Sequence, residues 1–534
     1  MICVKQKKYL FLFHTHKKMR VVFRVDSSSD IGTGHVVRCT TLAKQLRDRG
    51  LDCQFVCREL DGNLIESIRG QGFSVRALQQ THNVAMDTQA DLHAPAHAAW
   101  LGTDWRTDAD QTIAALSGDK LDWLVVDHYA LDAHWEAVLR PHATKIMVID
   151  DLADRNHECD LLLDSSLLPE MEQRYVGLVP ARCAVLVGPS WALLQPEYGD
   201  LHPRTPPRLG PIQRILISFG GVDQHNITGM AVAAVLALQR DDIAVDIVLS
   251  SRSPHAATVR AQVEQCPNIT VHDYVPCLAP LMLKADLALG AGGMTSWERC
   301  CLGLPAIVVT LADNQRFIAG ELDRVGMVQW LGRVGAVTAL EMEQALQVAV
   351  DGPCAIEPWS RRCLALLDGQ GACRVASILP LNARTPLCAR PARLTDEARL
   401  LRWANDPLVR QRSFNSKAIT KADHRRWFYG RLRNCDRSKT YIVETQDELT
   451  VGVVRFDDTG SGWEIGISID AAARGRRLGA RVLESAMDEL RALLPQASLF
   501  GKVKHENTQS QALFASLGFV RKAGDGWLVY WCTL

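Results

Sequence analysis

The sequence lacks the long apolar run that a membrane-spanning helix needs. No segment approaches the roughly 20 consecutive apolar residues that cross a bilayer. Net charge is also missing, because 60 Lys and Arg residues balance 60 Asp and Glu residues. The chain therefore has no overall field that would attract nucleic acid or an anionic membrane. We expect neither as a stable partner, and any binding of phosphate must come from local geometry.

Closely spaced cysteine pairs are scarce, although the chain has 16 cysteines. The only tight pairing is Cys300 with Cys301, and no C-x-x-C pair recurs at zinc-ribbon spacing. Scattered cysteines in a long chain without a secretion signal are typical of reduced thiols in the cytoplasm. We therefore predict a cytoplasmic protein with no structural disulfides and no metal site.

We do not expect the first 18 residues to form a secretion signal. Their apolar stretch, residues 9–13, is shorter than the roughly 7–15 residues of a signal peptide, and no small-residue cleavage site follows. A second methionine, Met19, directly precedes a strand pattern. We interpret residues 1–18 as an N-terminal extension or a misassigned start.

What the chain does contain is a repeated alternation of apolar strands and helical patterns. At 534 residues it is too long for one hydrophobic core. A proline-rich segment, residues 202–211, separates two such series, and nearly continuous apolar strands predict parallel sheets. The pattern predicts two Rossmann-like lobes, residues 19–203 and 204–380, with ligands at the carboxyl ends of the strands.

Beyond residue 387 the pattern changes to closely spaced strands, as in an antiparallel meander. This change predicts a separate α+β domain over residues 387–534. The predicted fold class is therefore α/β, with two Rossmann-like lobes followed by a C-terminal α+β domain.

A glycine-bearing strand-to-helix turn, DIGTGHVVR (residues 30–38), lies near the start of the first lobe. Gly34 lets the backbone approach a ligand closely, and the helix behind it offers unpaired N–H groups. His35 stands at the top of that helix, where its imidazole could face the cleft as a general base. The alternative is a structural or solvent-facing histidine.

Two polar loops of the second lobe are candidates for nucleotide binding. GAGGMTSWE (residues 290–298) contains Gly293 in a loop that could cradle a pyrophosphate, and Glu298 could accept both ribose hydroxyls. LADNQR (residues 311–316) contains Asn314 and could reach the same nucleotide. For Glu298 the alternative is a first-turn acid favoured by the helix dipole.

Together the motifs of both lobes resemble one family. DSSSDIGTGHVVR, VVDHY, YVGLVPARC, GPSWALLQPEY, SFGGVDQHN and GGMTSWE are similar to the UDP-2,4-diacetamido-2,4,6-trideoxy-β-L-altropyranose hydrolases of pseudaminic acid biosynthesis. The resemblance covers roughly residues 19–369 and implies a glycosyltransferase-B fold and an inverting, metal-independent hydrolysis. It implies a general base at His35, uridine diphosphate against Glu298 and Asn314, and a sugar pocket near Asp26, Asp127, His128 and Tyr129. Gln195 stands where relatives often carry arginine.

The segment ARGRRLGARVLE (residues 473–484) resembles the coenzyme A turn of the GNAT N-acetyltransferases. In that family the pattern R-x-x-G-x-G grips the pyrophosphate through helix N-terminal amides. Arg474 and Gly479 match the ends of the pattern, whereas Arg477 occupies the inner glycine position. The resemblance implies that these residues and Arg476 bind acetyl-CoA; the alternative for the arginines is solvated surface.

A second segment, HENTQSQALFASLGF (residues 505–519), is similar to the GNAT tail that contacts coenzyme A, with Asn507 at the contact position. Phe514 stands where relatives often place a tyrosine general acid, so another group or water must donate that proton. Glu464, on the strand GWEIGISID, is the candidate base. Its alternative is an outward-facing strand carboxylate.

The two resemblances imply consecutive reactions on one chain. The rear domain would acetylate the 4-amine of a UDP-4-amino sugar with acetyl-CoA as co-substrate, and the front lobes would hydrolyse the acetylated UDP-sugar. A UDP-sugar glycosyltransferase of the same fold is the main alternative. A sugar-nucleotide-binding or regulatory module with inactive loops is a third possibility, more so for the rear domain than for the front.

Overall fold

The structure is a computed structural model that describes residues 18–80, 95–116, 118, 120–220, 222–273, 275–352, 356–524 and 526–534. The predicted extension, apart from Lys18, lies outside the described residues. The chain divides into two compact units, Met1–Ala376 and Ser377–Leu534. No helix of the described ranges combines the length and the hydrophobicity that crossing a bilayer requires.

In the described part of the first lobe, seven parallel strands form one sheet in the order β3-β2-β1-β4-β5-β6-β7. The strands are β1 (Arg20–Val25), β2 (Asp52–Arg58), β3 (Ser74–Leu78), β4 (Leu121–Asp127), β5 (Ala143–Ile149), β6 (Leu161–Asp164) and β7 (Ala184–Val187). The helices are α1 (Gly34–Asp48), α2 (Ile65–Gly70), α3 (Trp105–Ala115), α4 (Ala133–Leu139) and α5 (Pro196–Leu201).

The second lobe repeats this order. Its described strands form a parallel sheet ordered β10-β9-β8-β11-β12-β13. The strands are β8 (Arg214–Ser218), β9 (Ala244–Val248), β10 (Ile269–His272), β11 (Leu287–Ala291), β12 (Ala306–Thr310) and β13 (Gln329–Arg333). The helices are α6 (Ile227–Ala237), α7 (Ala256–Val263), α8 (Ala279–Lys284), α9 (Thr295–Cys301), α10 (Gln315–Arg324), α11 (Ala339–Asp351), α12 (Ile356–Leu364) and α13 (Gly371–Ile378).

Alternate residues of one strand enter different cores in the second lobe. Ile215 and Ile217 of β8 lie in one hydrophobic cluster, whereas Leu216 lies in another. Both faces of the sheet are therefore covered, which is why the strands are almost continuously apolar. In each lobe the strand order reverses between two neighbouring strands, β1 and β4 or β8 and β11. Ligands of open α/β sheets bind at such switch points.

The proline-rich segment, residues 202–211, is anchored to the second lobe. The Arg208 guanidinium is buried and donates to the backbone carbonyls of Ala285, Met282 and Leu302. The connection between the lobes is therefore fixed to the second lobe. The sequence predicted a linker at this position but not its attachment to a lobe.

The second unit has a mixed sheet ordered β14-β15-β16-β17-β18-β20-β19 over its described residues. The strands are β14 (Leu387–Pro391), β15 (Ser438–Thr445), β16 (Thr450–Asp458), β17 (Trp463–Ile469), β18 (Ser498–Val503), β19 (Val520–Ala523) and β20 (Leu528–Thr533). The helices are α14 (Glu397–Ala404), α15 (Pro407–Arg412), α16 (Lys421–Arg433), α17 (Gly479–Leu493) and α18 (Thr508–Ser516).

The centre of this sheet opens between two parallel strands. β17 and β18 pair only at Trp463 with Leu499 and at Glu464 with Phe500, whereas β16 and β17 pair along their whole length. Beyond Glu464 the strands therefore separate, and the backbone groups of β17 that face β18 can bind a ligand. Strand β14 was not predicted, because its proline-bearing sequence is typical of a loop.

Buried charges brace the first lobe. Asp108 on α3 accepts hydrogen bonds from Arg24 (2.6 Å), Arg58 (2.7 Å) and Trp135 Nε1 (3.0 Å). Asp26 accepts from Arg24 (2.6 Å) and from the Arg58 N–H (2.6 Å). All four charged side chains are fully buried, so each charge depends on its partners.

We expect Asp108→Asn to destabilise the first unit by about 3–5 kcal/mol, because it leaves Arg24 and Arg58 short of buried negative charge. Denaturant unfolding of the purified chain measures this loss. Asp242→Asn, which breaks the exposed ion pair with Arg240, is the matched control and should leave the unfolding midpoint unchanged. An Asp108→Asn midpoint equal to wild type would contradict the bracing role.

Candidate active sites

His35 and Asp127 meet at the switch point of the first lobe. Asp127 ends β4 next to Val25, the last residue of β1, and His35 stands in the first turn of α1, which follows β1. His35 Nδ1 lies 2.6 Å from Asp127 Oδ1. The imidazole is buried but keeps 8% of its surface exposed. The structure therefore pairs the predicted general base with a carboxylate.

Arg38 fixes the charge of Asp127. Its Nε donates to Oδ2 and its Nη2 donates to Oδ1, both at 2.7 Å. Burial raises the pKa of Asp127, but Arg38 and then His35 outweigh burial and hold that pKa well below its ordinary value. An ionised Asp127 accepts the Nδ1 proton of His35, so the lone pair of the neutral imidazole is on Nε2. This arrangement suits a general base.

The hydrogen bonds extend from Arg38 to the second lobe. Arg38 Nη1 donates to Asp151 (3.2 Å), and the Tyr129 hydroxyl donates to the same carboxylate. Burial, together with Asp151, raises the pKa of Tyr129 well above its ordinary value, so the phenol stays protonated. Asn314 Nδ2 lies 3.5 Å from the Tyr129 hydroxyl. Asn314 and His35 therefore stand at the same cleft between the lobes.

Three aromatic rings surround Tyr129. His35 meets it edge-on at 4.7 Å between centroids, His97 lies at 5.4 Å and Trp100 at 5.8 Å. Sequence reasoning missed His97 and Trp100, which belong to no recognisable motif. It also missed Arg38 and Asp151; for Arg38 the available signal was its position one turn after His35 on α1.

The two glycine turns approach each other across the cleft. A Cβ on Gly34 would lie 3.9 Å from the Met294 side chain, in the loop that contains Gly293. A Cβ on Gly293 would meet Gln315 at 3.4 Å. The predicted residues Gly34, Gly293 and Asn314 are thus brought together with His35.

Asp26 and His128 lie elsewhere. The Asp26 carboxylate is fully buried among Arg24, Arg58 and His128, where it braces the lobe. His128 Nε2 lies 3.3 Å from it, and His128 Nδ1 accepts the Ala130 N–H. The structure does not bring either side chain to the group around His35, so their contact with a sugar stays a prediction.

Glu298 is a carboxylate with an unusual pKa. It stands in the first turn of α9, after the glycine loop, and burial raises its pKa to about 7 against smaller opposing effects of Tyr198 and Arg299. Arg299 donates to the Ala291 carbonyl (2.7 Å) and to Ser296 Oγ (3.0 Å), which fixes the loop. Near neutral pH, the Glu298 carboxyl is therefore ionised, and able to accept hydrogen bonds from hydroxyl groups with both oxygens, in only part of the molecules.

We expect the affinity for uridine to fall about 10-fold from about pH 8.5 to about pH 6, because protonation removes a Glu298 acceptor for the ribose hydroxyls. Uridine is the probe because it has no phosphate to titrate, and calorimetry measures its Kd. Glu298→Gln should bind more weakly at every pH and lose this dependence. Glu197→Gln changes an exposed carboxylate nearby and should follow wild type. A flat wild-type profile would contradict the role of Glu298.

In the second unit the predicted coenzyme A turn precedes α17. Leu478 is the N-cap and provides no side-chain acceptor, so the first-turn amides are available to a phosphate. A Cβ on Gly479 would lie 2.6 Å from Leu513, which explains the glycine. Arg477 adopts φ +58°, the left-handed region that favours glycine. Arg477, which replaces the inner glycine of the family pattern, therefore stands at a position where a side chain strains the backbone.

The other two arginines of the turn have internal partners. Arg474 forms a two-pronged ion pair with Asp406 (3.0 Å each). Arg476 is buried and donates to the carbonyls of Ala472 and Leu379, both at 3.0 Å. The structure therefore gives both guanidinium groups protein partners, and their contact with acetyl-CoA stays a prediction.

The remaining predicted residues occupy the open centre of the sheet and its surroundings. Glu464, half-buried at the end of the β17–β18 pairing, forms an ion pair with Lys502 (3.0 Å). Asn507 caps α18 by accepting the Ser510 N–H (3.2 Å). Phe514 is buried and stacks on Tyr530, with ring centroids 5.4 Å apart. Phe514 therefore belongs to the core, and binding of acetyl-CoA by Asn507 stays a prediction.

We expect Arg477→Gly to be more stable than Arg477→Ala by about 1 kcal/mol, because only glycine adopts a positive φ without strain. Thermal unfolding of both variants measures this difference. Gly475→Ala, at φ +68° in the same turn, is the control. It should be less stable than wild type by a similar free energy of unfolding. Equal stability of Arg477→Gly and Arg477→Ala would contradict the strain.

Comparisons with known proteins agree with both groups of motifs. Residues 387–520 match the acetyltransferase (GNAT) domain family, and residues 216–327 match the glycosyltransferase family 28 C-terminal domain. The UDP-2,4-diacetamido-2,4,6-trideoxy-β-L-altropyranose hydrolase of Campylobacter jejuni is 27% identical over 310 residues, which cover 58% of this chain and 97% of that protein.

Two further relatives extend the comparison. The spore coat polysaccharide biosynthesis protein SpsG of Bacillus subtilis is 23% identical, over 68% of this chain and 98% of its own length. The uncharacterized protein MJ1062 of Methanocaldococcus jannaschii is 20% identical, over 94% of this chain and 96% of its own length.

These matches and the two parallel sheets confirm the predicted fold, a glycosyltransferase-B type pair of lobes followed by an α+β domain. The chain joins a region similar to the UDP-2,4-diacetamido-2,4,6-trideoxy-β-L-altropyranose hydrolase to a C-terminal GNAT acetyltransferase domain.

Proposed function

We propose that the first unit hydrolyses UDP-2,4-diacetamido-2,4,6-trideoxy-β-L-altropyranose to UDP and the free sugar. We further propose that the second unit acetylates the 4-amine of the UDP-4-amino precursor with acetyl-CoA, as in pseudaminic acid biosynthesis. The observation that carries the hydrolase is the His35–Asp127 pair beside Asn314 at one cleft. The GNAT domain match carries the acetyl transfer.

In the proposed hydrolysis His35 activates water. Nε2 accepts a proton from a water molecule, the water oxygen attacks the anomeric carbon, and the bond from that carbon to the UDP oxygen breaks. The positive charge that forms on His35 is stabilised by Asp127, 2.6 Å from Nδ1. Displacement from the opposite face inverts the anomeric centre.

The leaving UDP needs charge stabilisation more than protonation. The glycine loop of the second lobe offers backbone N–H groups, and Glu298 would accept the ribose hydroxyls. No step of this mechanism requires a metal. Tyr129 and Asn314, whose side chains meet across the cleft, would hold the sugar between His35 and the nucleotide.

In the proposed acetyl transfer the amine attacks the thioester carbonyl, the C–S bond breaks and the thiolate takes up a proton. Glu464, directly or through water, would accept the proton that the amine loses. Glu464 forms its ion pair with Lys502 (3.0 Å) where β17 and β18 begin to separate. Phe514 has no proton to donate, so water would protonate the thiolate.

The acetylated product of the second unit would be the substrate of the first. A covalent link raises the local concentration of this intermediate without requiring a channel. Small molecules are therefore the proposed partners, and a cytoplasmic location would supply both UDP-sugar and acetyl-CoA.

Product analysis tests both activities. Wild type mixed with acetyl-CoA and the UDP-4-amino sugar should release coenzyme A, UDP and the free diacetamido sugar. His35→Ala should still acetylate and bind the UDP-sugar but hydrolyse it at least about 100-fold more slowly, because the general base is lost.

The control is His134→Ala, which removes an exposed imidazole that also contacts an aspartate, Asp132 at 3.0 Å, and should hydrolyse like wild type. Hydrolysis by His35→Ala within a few-fold of wild type would exclude His35 from the mechanism. UDP release that requires an added sugar acceptor would favour the glycosyltransferase instead.

A further inference from the structure

The guanidinium of Arg455, in the second unit, has no acidic partner among the described residues. Arg455 on β16 is half-buried, and among the described residues no carboxylate lies within 4.0 Å of it and no acceptor hydrogen-bonds to it. Burial and Arg431 lower the pKa of Arg455. A charge in such surroundings is costly unless an anion compensates it.

Arg455 lies beside the candidate base. It pairs with Gly466 on β17, and a Cβ on Gly466 would lie 2.7 Å from Arg455 Nη2, so the glycine makes room for the guanidinium. Alternate residues of a strand share a face. Glu464, two residues before Gly466, therefore lies on the same face of the sheet as Arg455.

Helices α14 and α16 cover this face. Val453, two residues before Arg455, packs with Phe428 of α16 and Leu400 of α14. Trp427, also on α16, places its ring centroid 5.5 Å from Arg455 Cζ and is 36% exposed. An exposed aromatic ring next to a cation can stack with a planar ligand group.

A second polar group at this position has no partner. His424 is 2% exposed, and neither ring nitrogen has a hydrogen-bond partner among the described residues. Its ring lies 5.4 Å from that of Trp427, and the charge of Arg455 contributes to lowering its pKa, after burial. Buried polar groups are nearly always hydrogen-bonded in proteins. His424 is such an exception, and it lies near the half-buried Arg455, which has no acceptor among the described residues; together the two groups point to a ligand.

The surrounding acids are already neutralised. Asp457 pairs with Arg431, and Glu464 pairs with Lys502 (3.0 Å). Glu397, whose charge opposes the lowering of the pKa of His424, pairs with Arg425 (3.5 Å). Arg410, whose charge also lowers the pKa of Arg455, donates to the carbonyls of Asn415 and Lys417. The region therefore has an excess of positive charge, which favours an anion.

We propose that Arg455, His424 and Trp427 form the subsite for the phosphate-bearing part of the acetyl acceptor, with the acceptor amine at Glu464. The proposal rests on the proposed acetyl transfer. The guanidinium binds phosphate oxygens, the buried imidazole borders the subsite beside Trp427, and the exposed Trp427 face stacks on the base. The acceptor class is thus a nucleoside-diphosphate-linked amino sugar, and cationic polyamines are disfavoured by Arg455.

Acetyl-transfer kinetics test this subsite in a His35→Ala chain, in which we expect hydrolysis of the UDP-sugar to be at least about 100-fold slower. Arg455→Met should raise the KM for the UDP-linked amino sugar about 10-fold or more, because a charge-assisted hydrogen bond is lost. The KM for acetyl-CoA and the slow acetylation of the free amino sugar should not change. Arg455→Lys should restore part of the affinity.

Arg491→Met, on α17 and paired with Asp488, is the matched control and should leave all constants unchanged. An unchanged KM for the UDP-linked sugar in Arg455→Met would overturn the proposal. An equal loss for both acceptors would also overturn it, because the effect would then be structural.

Calorimetric titration with UDP separates this proposal from the proposed function. Wild type should bind UDP at two sites per chain, and Arg455→Met at one, with unchanged thermal unfolding. If neither acceptor is acetylated, the proposed acetyl transfer is wrong. The anion subsite is still supported in that case if wild type binds UDP at two sites and Arg455→Met binds it at one. One site in wild type would overturn it.

Discussion

The candidate site of the first unit depends on one buried carboxylate, Asp127. It sits at the carboxyl end of β4, where strand order reverses, and accepts two N–H bonds from Arg38 and one from His35. These donors keep it ionised in spite of burial. Without that charge, His35 would lose its fixed tautomer and Arg38 would lose its main acceptor. The hydrogen bonds that run from Arg38 to Tyr129 and Asn314 would then no longer be held in place.

The two lobes have one topology but supply different chemistry. In the first lobe the switch point holds a titratable dyad, because β4 ends in an aspartate and α1 begins with a histidine. In the second lobe the same position holds small residues. A Cβ on Gly290 would lie 2.5 Å from the Arg299 guanidinium, and one on Gly292 would lie 3.0 Å from Thr310. The first lobe therefore suits proton transfer, and the second suits close approach of a nucleotide.

The second unit uses arginines in three ways. Arg476 is buried and binds backbone carbonyls, and Arg477 is exposed and takes a left-handed backbone conformation. Arg455 is half-buried and lies across a glycine, with no carboxylate within 4.0 Å among the described residues. A run of arginines in a sequence therefore says little about which guanidinium meets a substrate.

The sequence alone determined the architecture and pointed to His35 as the candidate general base. Apolar strands alternating with helices are buried on both faces, and glycines at strand ends mark close approach, so the lobes, His35, Gly34 and Gly293 followed from local pattern. The resemblance to known motifs added Glu298 and Asn314 as candidate nucleotide residues and the turn before α17 as the candidate coenzyme A site.

Only the tertiary structure decided which polar side chains share a site. Asp26 and Asp127 both end strands, yet one braces the lobe with Arg24 and Arg58 while the other orients His35. Arg474 and Arg476 have the spacing of ligands but turn to internal partners. Strand β14 formed although its sequence disfavours it, because pairing with β15 satisfies its backbone. Partners far apart in the chain set burial and charge, and no local pattern encodes them.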